Sequence, residues 1–214
     1  MKKSIRTFLK HPSKDLNHRS ANPPVVRAST ILFNSMQELY QHEKKIKKHQ
    51  KISHYSYGRY GSSTTIELEN ILKELEQAYH VFLTGTGFGG IALALMSLCR
   101  PGDEILVSDN VYGPTKEISQ QLMKQFEVYA KFYNPDSFED LKQKISKKTK
   151  MILVENPGSN TFEFQDLSKI TNLAKRKKIF TLLDNTWGTP LYLKPLKLGF
   201  DIVFEDSPSE GFQL

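Results

Sequence analysis

A glycine-rich segment of the sequence has the composition of an anion-binding turn. It reads Gly85-Thr86-Gly87-Phe88-Gly89-Gly90 and leads into the apolar run Ile91 to Leu98. The first amides of a helix have no partner inside it, and the helix dipole favours a negative charge there, so a phosphate could bind the uncovered main chain. A turn with tight helix packing would use the same glycines. The segment also fits the G-x-G-x-x-G pattern of dinucleotide-binding proteins, with Asp109 placed as the ribose-binding acid.

Acidic and aromatic residues follow other apolar runs. Asp184 ends the run that begins at Ile179 and precedes Asn185-Thr186-Trp187. Its carboxylate could be the counter-charge of a protonated ring nitrogen in a cofactor, or it could cap a turn. Tyr112 could stack on a planar ligand or belong to the core. The polar residues of Glu155-Asn156-Pro157-Gly158-Ser159-Asn160 could line a pocket or build a turn.

An arginine flanked by tyrosines stands earlier in the chain, in Tyr57-Gly58-Arg59-Tyr60-Gly61. A guanidinium offers several donors in a fixed fork, which suits phosphate. A surface loop is the alternative interpretation of this segment.

The elements that must position these residues alternate between strands and helices. Hydrophobic periodicity and capping signals, among them Thr64-x-x-Glu67, predict helices. These cover residues 35–51, the stretch after Thr64, and residues 91–98, 115–127, 137–145 and 167–178. Strands are predicted at residues 81–84, 104–108, 128–133, 151–155 and 179–184. Apolar strands that alternate with helices predict an α/β fold, a mostly parallel sheet with helices on both faces. Ligands then collect at the carboxyl ends of the strands, here residues 84–90, 109–113, 155–160 and 184–190.

Composition narrows the class of protein. The net charge is +7, but the lysines cluster on predicted amphipathic helices without a nucleic-acid motif, which favours solvated helix faces over nucleic-acid binding. No run of 18 apolar residues predicts a membrane span, and Met1 to Lys10 lacks the apolar core of a signal peptide. The single cysteine, Cys99, lies in an apolar context and is interpreted as a buried thiol, which fits a reducing cytoplasm.

Taken together and in order, these motifs resemble the pyridoxal-phosphate (PLP) enzymes of Cys/Met metabolism, over residues 16–204. The resemblance is carried by residues 22–30 (Asn-Pro-Pro-Val-Val-Arg-Ala-Ser-Thr), 57–61, 86–90, 101–103, 111–112, 155–159 and 184–187. Within the family, the Tyr-Gly-Arg form, the Pro-Gly-Ser turn and the tryptophan after Asp-Asn-Thr are most similar to bacterial cystathionine β-lyases.

The resemblance implies a fold and a set of cofactor contacts. The fold would be the large domain of fold type I, the aspartate-aminotransferase-like class, and the family forms homodimers or tetramers. Tyr57 and Arg59 would reach the cofactor phosphate of a partner subunit. The amides of Gly87 and Phe88 would bind the phosphate in the same subunit, Tyr112 would stack on the PLP ring, and Asp184 would pair with the ring nitrogen.

Beyond Phe204 the sequence departs from the family pattern. The family pattern places the lysine that attaches PLP at position 209, where this chain has Ser209. Pro208 replaces the threonine before that lysine, and Asp206 replaces a phosphate-binding serine. Serine cannot form the covalent link. We expect an N-terminal arm (residues 1–62), an incomplete PLP-binding domain (63–204) and a divergent tail (205–214), with the C-terminal domain of the family absent. A frameshift or a truncated gene would explain the abrupt change, and reading the DNA after codon 204 in the other two frames would test it.

Three functions follow as alternatives. The first is a cystathionine β-lyase-like enzyme of methionine biosynthesis, in a truncated form without its catalytic lysine, acting on a small sulfur amino acid. The second is a non-catalytic remnant or weak PLP binder. The third, a dinucleotide-binding domain, leaves the segments at residues 57–61 and 184–187 unexplained.

Overall fold

The computed structural model describes residues 23–48, 50, 52 and 54–206 of the 214-residue chain. Pro208 and Ser209 lie outside the described residues. The chain divides into two compact units, residues 1–83 and 84–214. No helix in the described ranges is long and apolar enough to cross a membrane.

The first unit carries two helices, α1 (Met36–Lys47) and α2 (Ser63–Glu76). The Ser35 hydroxyl caps α1 by accepting the Glu38 amide at 3.1 Å. The start of α2 differs from the prediction of a box at Thr64-x-x-Glu67. Ser62 is the N-cap residue, and its amide donates to Thr65 Oγ1 at 2.9 Å. Overlapping Ser and Thr residues allow the box to begin two positions earlier.

The second unit is built on a parallel sheet whose strand order is β2-β1-β3-β4-β5. The strands are β1 (Glu104–Ser108), β2 (Tyr129–Tyr133), β3 (Thr149–Glu155), β4 (Phe180–Asp184) and β5 (Ile202–Phe204). Every neighbouring pair in this order is parallel. The carboxyl ends of the strands therefore meet along one edge, as the alternation of elements predicted.

Helices precede the first strand and connect the strands that follow. They are α3 (Gly87–Leu98), α4 (Gly113–Glu117), α5 (Met123–Gln125), α6 (Phe138–Lys144), α7 (Leu167–Lys177) and α8 (Thr189–Tyr192). A π-helical turn, Ile118–Leu122, joins α4 to α5. The single helix predicted over residues 115–127 is therefore an uninterrupted helical segment whose middle turn is π-helical. The Ser137 hydroxyl caps α6 as predicted, accepting the Asp140 amide at 3.1 Å.

Two apolar clusters form the core, one on each face of the sheet. Alternate residues of a strand point to opposite faces. In β1, Ile105 and Val107 join the cluster under α3, while Leu106 joins the cluster under α6 and α7. Cys99 is buried in the first cluster, as predicted. The prediction of a parallel sheet covered on both faces is thus confirmed.

The short strand predicted over residues 81–84 is wrong. The structure has irregular chain there, and Phe82 is 75% exposed. Four apolar residues carry too little periodicity to distinguish a strand from an extended connection.

Candidate cofactor site

The N-terminus of α3 presents main-chain donors to an anion. The glycine-rich segment is itself helical from Gly87, four residues before the predicted start. Thr86 caps the helix: its hydroxyl accepts the Gly89 amide at 3.0 Å and its carbonyl accepts the Gly90 amide at 3.2 Å. Within the described part of the chain, the amides of Gly87 and Phe88 have no acceptor. These are the two amides predicted to bind phosphate.

Asp184 ends β4 at the same edge of the sheet. This residue is only 6% exposed, and its Oδ1 accepts the Thr186 amide at 3.1 Å. Burial raises the pKa of Asp184, the Thr186 hydroxyl and amide lower it, and the charge of Asp206 raises it. The turn interpretation of Asp184 therefore holds, and it leaves a buried carboxylate that a cationic ring nitrogen would stabilise.

Glu155 is a second buried carboxylate at this edge, directly beside Asp184 in the pairing of β3 with β4. Its Oε2 accepts the Tyr112 amide at 2.7 Å. Burial raises the pKa of Glu155 to about 7, and the Asp184 charge adds to this, while the Tyr112 amide and the Ser159 hydroxyl oppose it. Tyr112 is 55% exposed, so the core interpretation of this residue is wrong, and the residue is accessible to a ligand.

A polar network joins the ends of the first three strands through Gln165, which lies outside the predicted motifs. Its Nε2 donates to Ser108 Oγ at 2.9 Å, and its Oε1 accepts the Tyr133 hydroxyl at 2.8 Å. Its backbone amide donates to Asn156 Oδ1 at 2.7 Å. A lone glutamine before a helix carries no sequence signal for such a role.

The turn after β3 packs closely against the turn after β1. A Cβ atom at Gly158 would overlap the side-chain amide of Asn110. The Asn110 carbonyl in turn accepts the Ser159 amide at 2.9 Å. This segment thus builds a turn that packs against the turn after β1, and its role in lining a pocket stays a prediction.

Asp206, the replacement for the expected serine, lies at the start of α3. A Cβ atom at Gly87 would overlap the Asp206 carboxylate, so this carboxylate lies directly against the main chain of the helix start. Its backbone amide donates to Thr186 Oγ1 at 3.0 Å.

Tyr57 and Arg59 lie in the first compact unit. The Arg59 guanidinium is 5.1 Å from the centre of the Tyr57 ring, and Tyr57 pairs with Thr30 in an isolated bridge. A Cβ atom at Gly58 would overlap the Ala28 carbonyl, which explains the glycine between them. The role of this pair at a partner subunit stays a prediction.

The context expected of a dinucleotide-binding motif is not found. No strand precedes the glycine-rich segment in the described chain, and Asp109 is paired with Lys116 at 2.8 Å. The edge of the parallel sheet offers instead free helix amides, which suit an anionic group, and a buried carboxylate, which suits a basic ring nitrogen. Together these features indicate a protein that can hold a cofactor with both groups.

Comparison with known proteins identifies the class more closely. The sequence profile of the Cys/Met metabolism PLP-dependent enzymes matches residues 7–207. The chain belongs to this family.

Relatives within the family differ in activity. The chain is 32% identical over 205 residues to a cystathionine β-lyase of Bordetella avium, which covers 94% of this chain and 51% of the relative. It is 31% identical over 188 residues to an L-alanine/L-glutamate racemase of Wolbachia pipientis, covering 86% of this chain and 46% of the relative. The chain spans about half the length of the curated relatives it matches.

Solved structures of the family share the fold. A cystathionine γ-lyase from Lactobacillus plantarum, in complex with L-serine, superposes with a TM-score of 0.82 at 26% identity, covering 94% of this chain and 49% of that one. A Campylobacter jejuni protein assigned as an O-acetylhomoserine (thiol)-lyase superposes with a TM-score of 0.84 at 25% identity, covering 96% and 50%. The latter carries a pyridoxyl-lysine phosphate. The fold is thus that of the fold type I PLP enzymes, as predicted.

The residues of this chain fit PLP in part. The free amides of Gly87 and Phe88 suit its phosphate, and the buried Asp184 suits its ring nitrogen. The Asp206 carboxylate against Gly87 does not suit the phosphate, because two negative charges would share one place.

Proposed function

We propose that this chain is the cofactor-binding part of a cystathionine β-lyase-like protein and that, as an isolated chain, it binds PLP without covalent attachment. The observation that carries the proposal is the pair of free amides at the start of α3, which shares a sheet edge with the buried Asp184. The named β-lyases among its relatives support the branch of the family.

Each residue has a distinct part in holding the cofactor. The Gly87 and Phe88 amides bind the phosphate, and the exposed Tyr112 ring stacks on the pyridine ring. Glu155 fixes the main chain at Tyr112 through its 2.7 Å hydrogen bond. Asp184 keeps the ring nitrogen protonated. When bound, PLP acts as an electron sink for the α-carbon of an amino acid.

The reaction of the full lineage would be a carbon–sulfur β-elimination. Cystathionine and water would give homocysteine, pyruvate and ammonia, a step of methionine biosynthesis that we place in the cytoplasm. Tyr57 and Arg59 would act on the cofactor of a partner subunit in a homo-oligomer. Because position 209 is serine, no side chain there can attach PLP or move a proton as an amine does. We therefore expect no turnover from this chain alone.

Cofactor binding can be followed through Trp187, the single tryptophan, which lies three residues after Asp184 and is 47% exposed. PLP added to the purified chain should quench its emission in a saturable way, after correction for absorption by free PLP. Asp184→Asn, which keeps the shape and removes the charge, should weaken binding about tenfold or more, the equivalent of about 1.4 kcal/mol. Asp136→Asn on the turn after β2 is the matched control and should bind like the wild type.

Two results would contradict the proposal. One is a folded chain whose Trp187 emission does not respond saturably to PLP. The other is pyruvate formed from cystathionine at a rate that Asp184→Asn abolishes, which would show that the chain is an active lyase despite Ser209.

A further inference from the structure

The end of β5 places a negative charge at the phosphate position. The Asp206 carboxylate lies against the main chain of Gly87, the first residue of α3. Two hydrogen bonds hold this part of the chain to the turn after β4. The Asp206 amide donates to Thr186 Oγ1 at 3.0 Å, and Asn185 Nδ2 donates to Glu205 Oε1 at 2.7 Å. The backbone that carries the carboxylate is therefore held to the turn after the neighbouring strand β4.

This carboxylate occupies the approach to the helix start without satisfying its donors. In the described chain it makes no hydrogen bond to the amides of Gly87 and Phe88. A phosphate group that binds these amides must enter the same space and meet a like charge at close range. A hydroxyl at this position could donate a hydrogen bond to a phosphate, whereas a carboxylate can only accept.

The same charge also acts on the second feature of the site. Besides burial, which is the main cause, the negative charge of Asp206 raises the pKa of Asp184. The charge of one side chain thus acts at the phosphate position and on the carboxylate that would hold the ring nitrogen.

We propose that Asp206 determines ligand specificity by filling the anion position at the start of α3, so that it selects against phosphate-bearing ligands. This inference rests on the proposed function, since it concerns the affinity of the same site for PLP. It identifies the residue that makes the isolated chain a weak cofactor binder.

The test compares the full chain with Asp206→Asn and Asp206→Ser, using Trp187 emission as the signal. The ligands are PLP, pyridoxal, which has the ring but no phosphate, and inorganic phosphate as a competitor. Both variants should bind PLP at least tenfold more tightly than the wild type, and inorganic phosphate should compete at lower concentration. The affinity for pyridoxal should change less than twofold. Asp136→Asn makes the same change of charge in the turn after β2, which is at the other end of the strand order from β5, and should bind like the wild type.

The outcomes separate this inference from the proposed function. Equal PLP affinity in the wild type and both variants overturns the inference and leaves the proposed function standing, and so does an equal gain for pyridoxal and PLP. Binding by the variants alone supports the inference and refutes cofactor binding by the wild type. If no protein binds PLP or phosphate although each shows a cooperative thermal transition, both proposals fail. Should Asp206→Asn lose that transition, Asp206→Ser supplies the same comparison.

Discussion

The buried pair Glu155 and Asp184 makes stability depend on pH in a direction that is unusual for carboxylates. The pKa of Glu155 is raised from the ordinary 4.5 to about 7, chiefly by burial and next by the charge of Asp184. The folded state therefore binds this proton more tightly than the unfolded state does. The stabilisation is fully present below pH 4.5 and is lost as the pH rises through about 7.

The size of the effect follows from the difference between the two pKa values. At 1.36 kcal/mol per unit, protonated Glu155 contributes about 3 kcal/mol that ionisation removes. Burial also raises the pKa of Asp184, so its contribution has the same sign. In Glu155→Gln the amide cannot ionise, while its oxygen can still accept the Tyr112 amide. We expect the wild type to lose stability between about pH 5 and pH 8, and Glu155→Gln to lose about 3 kcal/mol less.

Urea unfolding followed by Trp187 emission at a series of pH values measures this difference. Glu163→Gln is the matched control, because its hydrogen bonds with Thr161 and Asn110 lower the pKa of Glu163 and place its titration below this range. It should keep the pH dependence of the wild type. A decline in Glu155→Gln as steep as that of the wild type would refute the reasoning.

Two further predictions concern packing in the second unit. Gly158→Ala should destabilise the protein by about 1–3 kcal/mol, because its Cβ would overlap the side chain of Asn110, and thermal unfolding measures this loss. Gly102→Ala is the comparison: its Cβ would meet no atom, but the positive φ of this position strains the backbone, so the two variants separate steric overlap from backbone strain. Burial raises the pKa of the Cys99 thiol to about 11, so a disulfide reagent at pH 8 should react with it only as fast as the core opens. Rapid labelling of the native protein, before any loss of Trp187 signal, would contradict the burial of this thiol.

Much of the second unit could be predicted from the sequence because its three central strands, β1, β3 and β4, are almost fully buried on both faces. A run such as Glu104 to Ser108 can be recognised as a strand without knowledge of the strands that pair with it, and its observed bounds match the prediction. The same reasoning failed at residues 81–84, where four apolar residues form irregular chain. Apolar character predicts a strand only where the run is long enough, or regular enough, to distinguish it from a connection.

The candidate site was predictable where one segment defines the feature. The glycine-rich segment before a helix and the strand end at Asp184 are local patterns, although the helix begins four residues earlier than predicted, and the fold brings both to the same edge. The contact of Asp206 with Gly87 and the hydrogen bond of Glu155 to the Tyr112 amide join residues far apart in sequence. Such contacts depend on how strands are ordered and how loops turn, which no local pattern contains.

The hydrogen bonds of Gln165 have a consequence for local opening of the sheet. Strand ends usually exchange their amide hydrogens before strand centres, because few bonds must break. Here one side chain joins Ser108 at the end of β1, Tyr133 at the end of β2 and the Glu155 carbonyl at the end of β3. These ends must open together, so their amides should exchange almost as slowly as those in the centre of the sheet. We therefore expect the edge proposed to bind the cofactor to be rigid in the free protein, so that little ordering entropy would be lost on binding.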